Sequence, residues 1–410
     1  ERADCSSAAF TAGGELLAQA ENIPVHLGAM PASVRAVLDV FGDGSTLGPD
    51  DQVIVNDPYA GGTHLNDITV VAPVRSVAGE LIGWVANRAH HADVGGTAPG
   101  SMPADARSIV SEGWRTAPVL VTEALVDDLC ATSRTPTERR GDLDAQLGAN
   151  RVGVARLAEL DPDVFGSVLH YGERRARAAL ATLPDGSWHA EDVMDSFGPD
   201  ADQQHTTPVA VTVTKTGDHI RFDFTGSGPQ RSGNVNAVES VTTSAAVFAL
   251  RSVLDPTIPA NGGVLRAVEV VAPPGTIVNA LAPAAVGAGN VEVSQRVADV
   301  CFAALAAAAP EAVAAASQGT MNNVILGTDD WVYYETVGGG QGGRPFAPGM
   351  SGIHTAMTNT SQAATAPVGP GTPGMSGIHT CMTNTKNTPI EALERAFPLR
   401  VLRQRLRRGS

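Results

Sequence analysis

Residues 56–105 read NDPYAGGTHLNDITVVAPVRSVAGELIGWVANRAHHADVGGTAPGSMPAD, and this stretch decides the fold. Two apolar runs, 68–75 (ITVVAPVR) and 80–86 (ELIGWVA), are joined near Ser76–Gly79 and predict a β-hairpin. With the turn centred between Val77 and Ala78, Asp67 falls opposite Arg88 and His64 opposite His91. The His-x-x-Asp and His-His-x-Asp segments therefore meet at the open end of the hairpin. Residues i and i+3 point to opposite faces of a regular strand, so His64 and Asp67 need a turn between them to reach one ion. Gly61-Gly62 and Gly95-Gly96 permit such turns.

His nitrogen and carboxylate oxygen together suit Zn2+, Mn2+ or Fe2+. The candidate ligands are His64, Asp67, His90, His91 and Asp93, with Asp57 close by. A lone histidine in a loop is more often a hydrogen-bonded structural residue. The convergence of three histidines with two or three aspartates is what points to a metal.

Outward from the hairpin, 31–41 (PASVRAVLDVF) predicts a helix stopped by Gly42, and 53–55 a short buried strand. Residues 143–160 and 163–183 predict helices separated by Pro162. Residues 208–214 and 219–225 alternate about Thr216-Gly217-Asp218 and predict a second hairpin. Helices are expected over 237–254 and 291–309, and a strand over 264–271. The fold class is α+β: a mixed composite fold of β-hairpins and packed helices, with a metal site at a hairpin end. A boundary near 185–205 divides it into a metal-binding region 1–190 and a second region 191–400, followed by a basic tail 401–410.

Two further segments are candidates for substrate contact. Gly339 and Gly340, in YYETVGGGQGGRP, could turn backbone N–H groups toward an oxyanion, or form a plain tight loop. Asn234 and Asn236, in DFTGSGPQRSGNVN, could bond a polar substrate or a turn network. Residues 348–360 (PGMSGIHTAMTNT) recur as 373–385 (PGMSGIHTCMTNT). One repeat is no solenoid. His379 of the second copy is a candidate substrate contact.

A formal net charge of −15 among 410 residues argues against a nucleic-acid partner. Cys5, Cys130, Cys301 and Cys381 are scattered, which fits a reducing compartment. No apolar run suits a membrane span, and no signal peptide is visible. A cytoplasmic protein is expected. The absence of an opening Met predicts a fragment of a longer protein. No G-x-x-x-x-G-K-[ST] motif occurs, so no P-loop is expected.

NDPYAGGTHLNDITVVAPV, ANRAHHADVGGTAPGSMPADA, DFTGSGPQ, YYETVGGGQGGRP and SGIHTCMTNTKNTPIEALE closely resemble the hydantoinase B/5-oxoprolinase family, from about residue 1 to 400. The resemblance implies ATP-dependent opening of a cyclic amide such as 5-oxoproline or a hydantoin. A hydantoinase A-type partner in a hetero-oligomer would bind ATP and phosphorylate the substrate. This chain would hold one divalent metal and hydrolyse the activated ring bond. The implied metal ligands are Asp4, His64, Asp67 and His90, with His91 and Asp93 orienting them. His64, Asp67 and His91 are the implied catalytic residues. A related carboxylase, or an inactive scaffold, are the rival readings. The family carries the SGxHTxMTNT segment once, and the copy at 373–385 runs on into the family's NTPIE.

Overall fold

The computed structural model describes residues 4–20, 24–26, 28–337, 339–340, 342–343, 349 and 390–403. His379, the duplicated segments apart from Gly349, and the end of the basic tail lie outside the described residues.

The first half builds a six-stranded antiparallel sheet. Its strands are β1 (Cys5–Thr11), β2 (Leu16–Gln19), β3 (Val53–Asn56), β4 (Asp67–Arg75), β5 (Leu81–His90) and β6 (Thr116–Leu120), in the order β2-β1-β5-β4-β3-β6. Helix α1 (Ala29–Phe41) covers one face. Its residues Met30, Val34 and Val37, at helical spacing, pack on Phe10, Val53, Val71 and Trp84. Gly42 ends the helix in a positive-φ conformation, its N–H bonded to the Leu38 carbonyl. Helices α2 (Glu123–Thr132) and α3 (Pro136–Leu157) follow, and α3 covers the opposite face. Helix α4 (Phe165–Leu180) then leads to the second half.

That half carries a four-stranded sheet, β10-β9-β8-β7, from β7 (Gly186–Met194), β8 (Thr207–Thr216), β9 (His219–Asp223) and β10 (Val268–Val271). Helix α5 (Glu239–Val253) and the short α6 (Gly262–Leu265) connect β9 to β10, which run parallel. Residues 264–271 are therefore a helical turn followed by a strand, because Asn261 caps Gly263 and starts the turn. Helix α7 (Ser294–Ala308) packs on β7, β8 and α5. A π-helical turn, Gly289–Val293, opens it. Hairpin β11 (Asn323–Gly327) and β12 (Val332–Thr336), then α8 (Ile390–Ala396), complete the described elements. The largest apolar cluster joins both halves, from Ile54, Ile68 and Val70 to Phe222, Val241 and Val297.

The β4–β5 hairpin forms with a different register from the one predicted. Asp67 pairs with His90, not Arg88. The connection is longer than a tight turn: Ser76 N–H bonds to Glu80 O, Gly79 takes φ +85°, and a bulge lies at Arg75. A slip of two residues leaves every side chain on its expected face. It brings the second histidine level with the carboxylate. Strand β5 also extends four residues beyond the predicted 80–86, carrying Arg88 and His90 into the sheet.

Candidate metal centre

The turn into β4 is locked before the ligands are placed. Asp57 caps the turn Pro58–Ala60 by accepting the Tyr59 N–H. A Cβ on Gly61 would lie 2.3 Å from the backbone of α1, so only glycine lets the chain pass there. The Asp67 N–H closes a turn on the His64 carbonyl at 3.1 Å. Asn66 accepts the His91 N–H at 2.7 Å, and its side chain donates to the carbonyls of His91 and Gly100. This clamp aims His64 and Asp67 at one point.

His64 Nε2 lies 3.2 Å from Asp67 Oδ1, His90 Nδ1 lies 3.1 Å from the same oxygen, and the two nitrogens are 3.2 Å apart. Ligand atoms bound to one ion at about 2.1 Å sit about 3.0–3.4 Å from each other. The donor set therefore fits a divalent cation. His64 Nδ1 lies 3.3 Å from the Gly287 carbonyl, which can only accept. That bond assigns the N–H to Nδ1 and leaves an Nε2 lone pair facing a carboxylate oxygen, an arrangement that calls for a cation between them. Burial acts to raise the Asp67 carboxyl, but the charge of His64 and hydrogen bonds from His26, His64 and His90 outweigh it and hold Asp67 well below the usual range.

The surroundings come from distant parts of the chain. Asp67 Oδ2 accepts from Thr63 Oγ1 and lies 3.4 Å from His26 Nε2, whose other nitrogen meets Ser6 Oγ. Asn290 Nδ2, in the π-helical turn, lies 3.2 Å from His64 Nε2. The ring of Tyr334 on β12 stands 5.1 Å from that of His90. Arg88, fully buried beneath, bonds Thr69 Oγ1, Ser33 Oγ and the Gly61 carbonyl, and burial lowers its pKa to about 10. The segment 284–290 is held at several points: Tyr59 OH donates to the Ala284 carbonyl, Asn236 to that of Ala285, and the Val286 and Gly287 N–H groups donate to Glu112.

The other sequence candidates stand elsewhere. Asp4 sits across from His90, its carbonyl accepting the His90 N–H at 2.9 Å beyond the end of β1. His91 lies on the opposite face, Nε2 at 2.8 Å from Gln146 Oε1 of α3, and is not brought to the cluster. Asp93 accepts from the backbone of Gly95, Gly100 and Arg134 and pairs with the Arg134 guanidinium, organising the loop after His90. Asn234 donates to the Pro103 carbonyl, and its own backbone carbonyl accepts from Ala288 and Gly289. Gly340 N–H donates to Gln318 Oε1, and Gly339 lies against the same side chain. Thr63, His26, Glu112, Gly287, Asn290 and Tyr334 carry no mark in the sequence that singles them out. The glycine-rich run AVGAGN before the α7 helix is the one signal that points toward two of them.

Burial and the nearby Arg139 charge lower the His91 pKa to about 4, from an ordinary 6.5. A depressed histidine contributes stability above its unfolded pKa and loses it as pH falls toward the folded value. The wild-type chain is thus expected to lose stability between pH 6.5 and 4 more steeply than His91→Leu. Urea unfolding at about pH 7 and about pH 5 checks this; equal slopes would refute a neutral, buried His91.

The hydantoinase B/oxoprolinase family model matches residues 1–366 and 362–410, the matches meeting in the spacer between the duplicated segments. An uncharacterized protein of Methanocaldococcus jannaschii is 38% identical over 428 residues, covering 100% of this chain and 70% of that one. The 5-oxoprolinase 1 of Arabidopsis thaliana is 37% identical over 88% of this chain, which spans only 30% of it. A putative D-/L-hydantoinase component from a Pseudomonas species is 30% identical, covering 96% of this chain and 67% of that one. The crystal structure of an ATP-dependent caprolactamase from Pseudomonas jessenii superposes with a TM-score of 0.82 at 25% identity, over 97% of this chain and 67% of that one. With the family match running the length of the chain, the chain belongs to the hydantoinase B/oxoprolinase family.

Proposed function

We propose that this chain opens a phosphate-activated cyclic amide, such as 5-oxoproline, a hydantoin or another lactam, using one divalent ion held by His64, Asp67, His90 and Asp4. The observation that carries the reading is the set of three ligand-atom separations of 3.1–3.2 Å at the mouth of the β4–β5 hairpin. Relatives named 5-oxoprolinase, hydantoinase and caprolactamase support the substrate class. An ion there, Zn2+, Mn2+ or Fe2+, would supply Lewis acidity and activate water near neutral pH.

The chain's own residues do the rest. The Gly287 carbonyl fixes the His64 tautomer. Thr63 and His26 occupy Asp67 Oδ2 and leave Oδ1 facing inward. Tyr334 and the β11–β12 hairpin cover His90 and limit bulk water. His91 acts as a positioning residue through its backbone bonds to Asn66.

An amide carbonyl is a poor electrophile, and O-phosphorylation makes it a good one. The sequence holds no P-loop. ATP is therefore assigned to a hydantoinase A-type partner in a cytoplasmic hetero-oligomer. No described helix is long and apolar enough to cross a membrane. The test is ring opening by the assembled complex after chelation, with ATP and Mg2+ restored. Activity should fall at least about tenfold and return with Mn2+ or Zn2+; an unchanged rate in a metal-depleted complex would overturn the reading.

A further inference from the structure

Glu112 is 1% exposed, and no cation pairs with its carboxylate among the described residues. Its oxygens instead accept the Val286 N–H at 3.0 and 3.1 Å and the Gly287 N–H at 2.8 Å. The next carbonyl along the chain, that of Gly287, faces His64 Nδ1 at 3.3 Å. A Cβ at Gly287 would stand 3.1 Å from Glu112 Oε1, so glycine permits this close seat. From the other side, a Cβ on Gly96 would meet the Ser111 carbonyl oxygen at 2.6 Å and the Glu112 carbonyl carbon at 2.7 Å. Glu112 thus bridges the loop that follows His90 and the segment that faces His64.

An isolated carboxylate in such a place is costly unless bonded, and three N–H contacts offset that cost. Burial still pushes the Glu112 carboxyl up to about 7. Structural anchoring alone would be served by a neutral amide. What a carboxylate adds is negative charge close behind a candidate ligand, with only the Gly287 peptide unit between them.

We propose that Glu112 is a positioning residue for the metal centre: it pins the 286–287 backbone so that the Gly287 carbonyl holds His64 in its ligating tautomer, and its charge strengthens cation binding. Metal-ligating histidines commonly donate their second N–H to a carboxylate or a backbone carbonyl. Here both are used in series, the carboxylate holding the carbonyl that holds the imidazole.

The inference rests on His64 being a metal ligand, and the experiment separates the two. Mn2+ and Zn2+ affinities of the purified full chain are measured by competition with a chromophoric chelator, for wild type, Glu112→Gln and Glu112→Asp. The 15N signals of His64 in the metal-free chain report its tautomer. Glu112→Gln should weaken metal binding about 10- to 100-fold, and Glu112→Asp, which restores the charge, should recover part of it. A folded Glu112→Gln chain that binds metal like wild type, with the His64 proton still on Nδ1, overturns the inference and leaves the metal site standing. Should that variant fail to fold, Glu112→Asp decides, since its shorter reach loses one N–H and wild-type affinity there would refute the role. A wild-type chain that binds neither ion overturns the site and the inference together.

Discussion

Asp67→Ala is expected to leave a folded chain that retains no divalent metal, with affinity reduced more than about 100-fold. Asp67 is the hub of the cluster: His64, His90, His26 and Thr63 all meet its carboxylate. Its removal takes away the negative charge and leaves imidazoles facing one another in a buried site. In the assembled complex, ring opening should be lost while the partner's ATP hydrolysis persists in part. Metal analysis of the purified variant beside wild type is the check. Equal metal content, or wild-type turnover, would show that the cluster is an internal polar network and not the reaction centre.

The second large effect is expected at Gly289→Ala. A Cβ there would lie 1.9 Å from the Asn236 carbonyl oxygen and 2.3 Å from its carbon. Neither can yield cheaply, because the Asn236 side chain is tied to the carbonyls of Arg231, Gly233 and Ala285 at 2.8–2.9 Å. The expected loss is about 3 kcal/mol or more, the range of overpacking against fixed backbone. Metal affinity should fall as well, since Gly289 adjoins Asn290 and the segment that faces His64. Gly148→Ala is the control. It lies within α3 with nothing within 4 Å of a built Cβ, and it should gain about 0.5–1 kcal/mol. Denaturant midpoints for both variants decide the matter; a neutral Gly289→Ala would show that the 236–289 contact is loose.

The hairpin and its two histidine–aspartate segments are legible in the sequence because the apolar alternation and the glycine pairs all fall within the single stretch 56–105. The register differs by two because the Ser76–Glu80 connection stores a bulge that no residue type announces. Helix α3 begins at Pro136, ahead of the predicted start at 143, because the polar turn TERRGD masks its periodicity. Strands β1 and β2 give no clear alternation, rich in Ala and Ser as they are, and the pairing that sets Asp4 beside His90 is hidden with them. Asn234 takes the plainer of its two readings, a turn network. The support from Glu112, Gly287 and Asn290 is out of reach for a different reason. Much of it passes through backbone N–H and C=O groups, which every residue carries, and the partners meet across 174 to 226 positions.

That separation has a consequence for how the chain comes into being. Synthesis runs from the N-terminus, so a ribosome that has released residues 1–190 has made His64, Asp67 and His90 but neither Gly287 nor Asn290. Until segment 284–290 arrives, the His64 proton has no Gly287 carbonyl to bond, and the cluster stays open on that side. Charging with the cofactor is thereby deferred to the late nascent chain or the finished one. The distance along the polypeptide acts as a clock, and a product aborted midway cannot become a half-built enzyme that hoards metal.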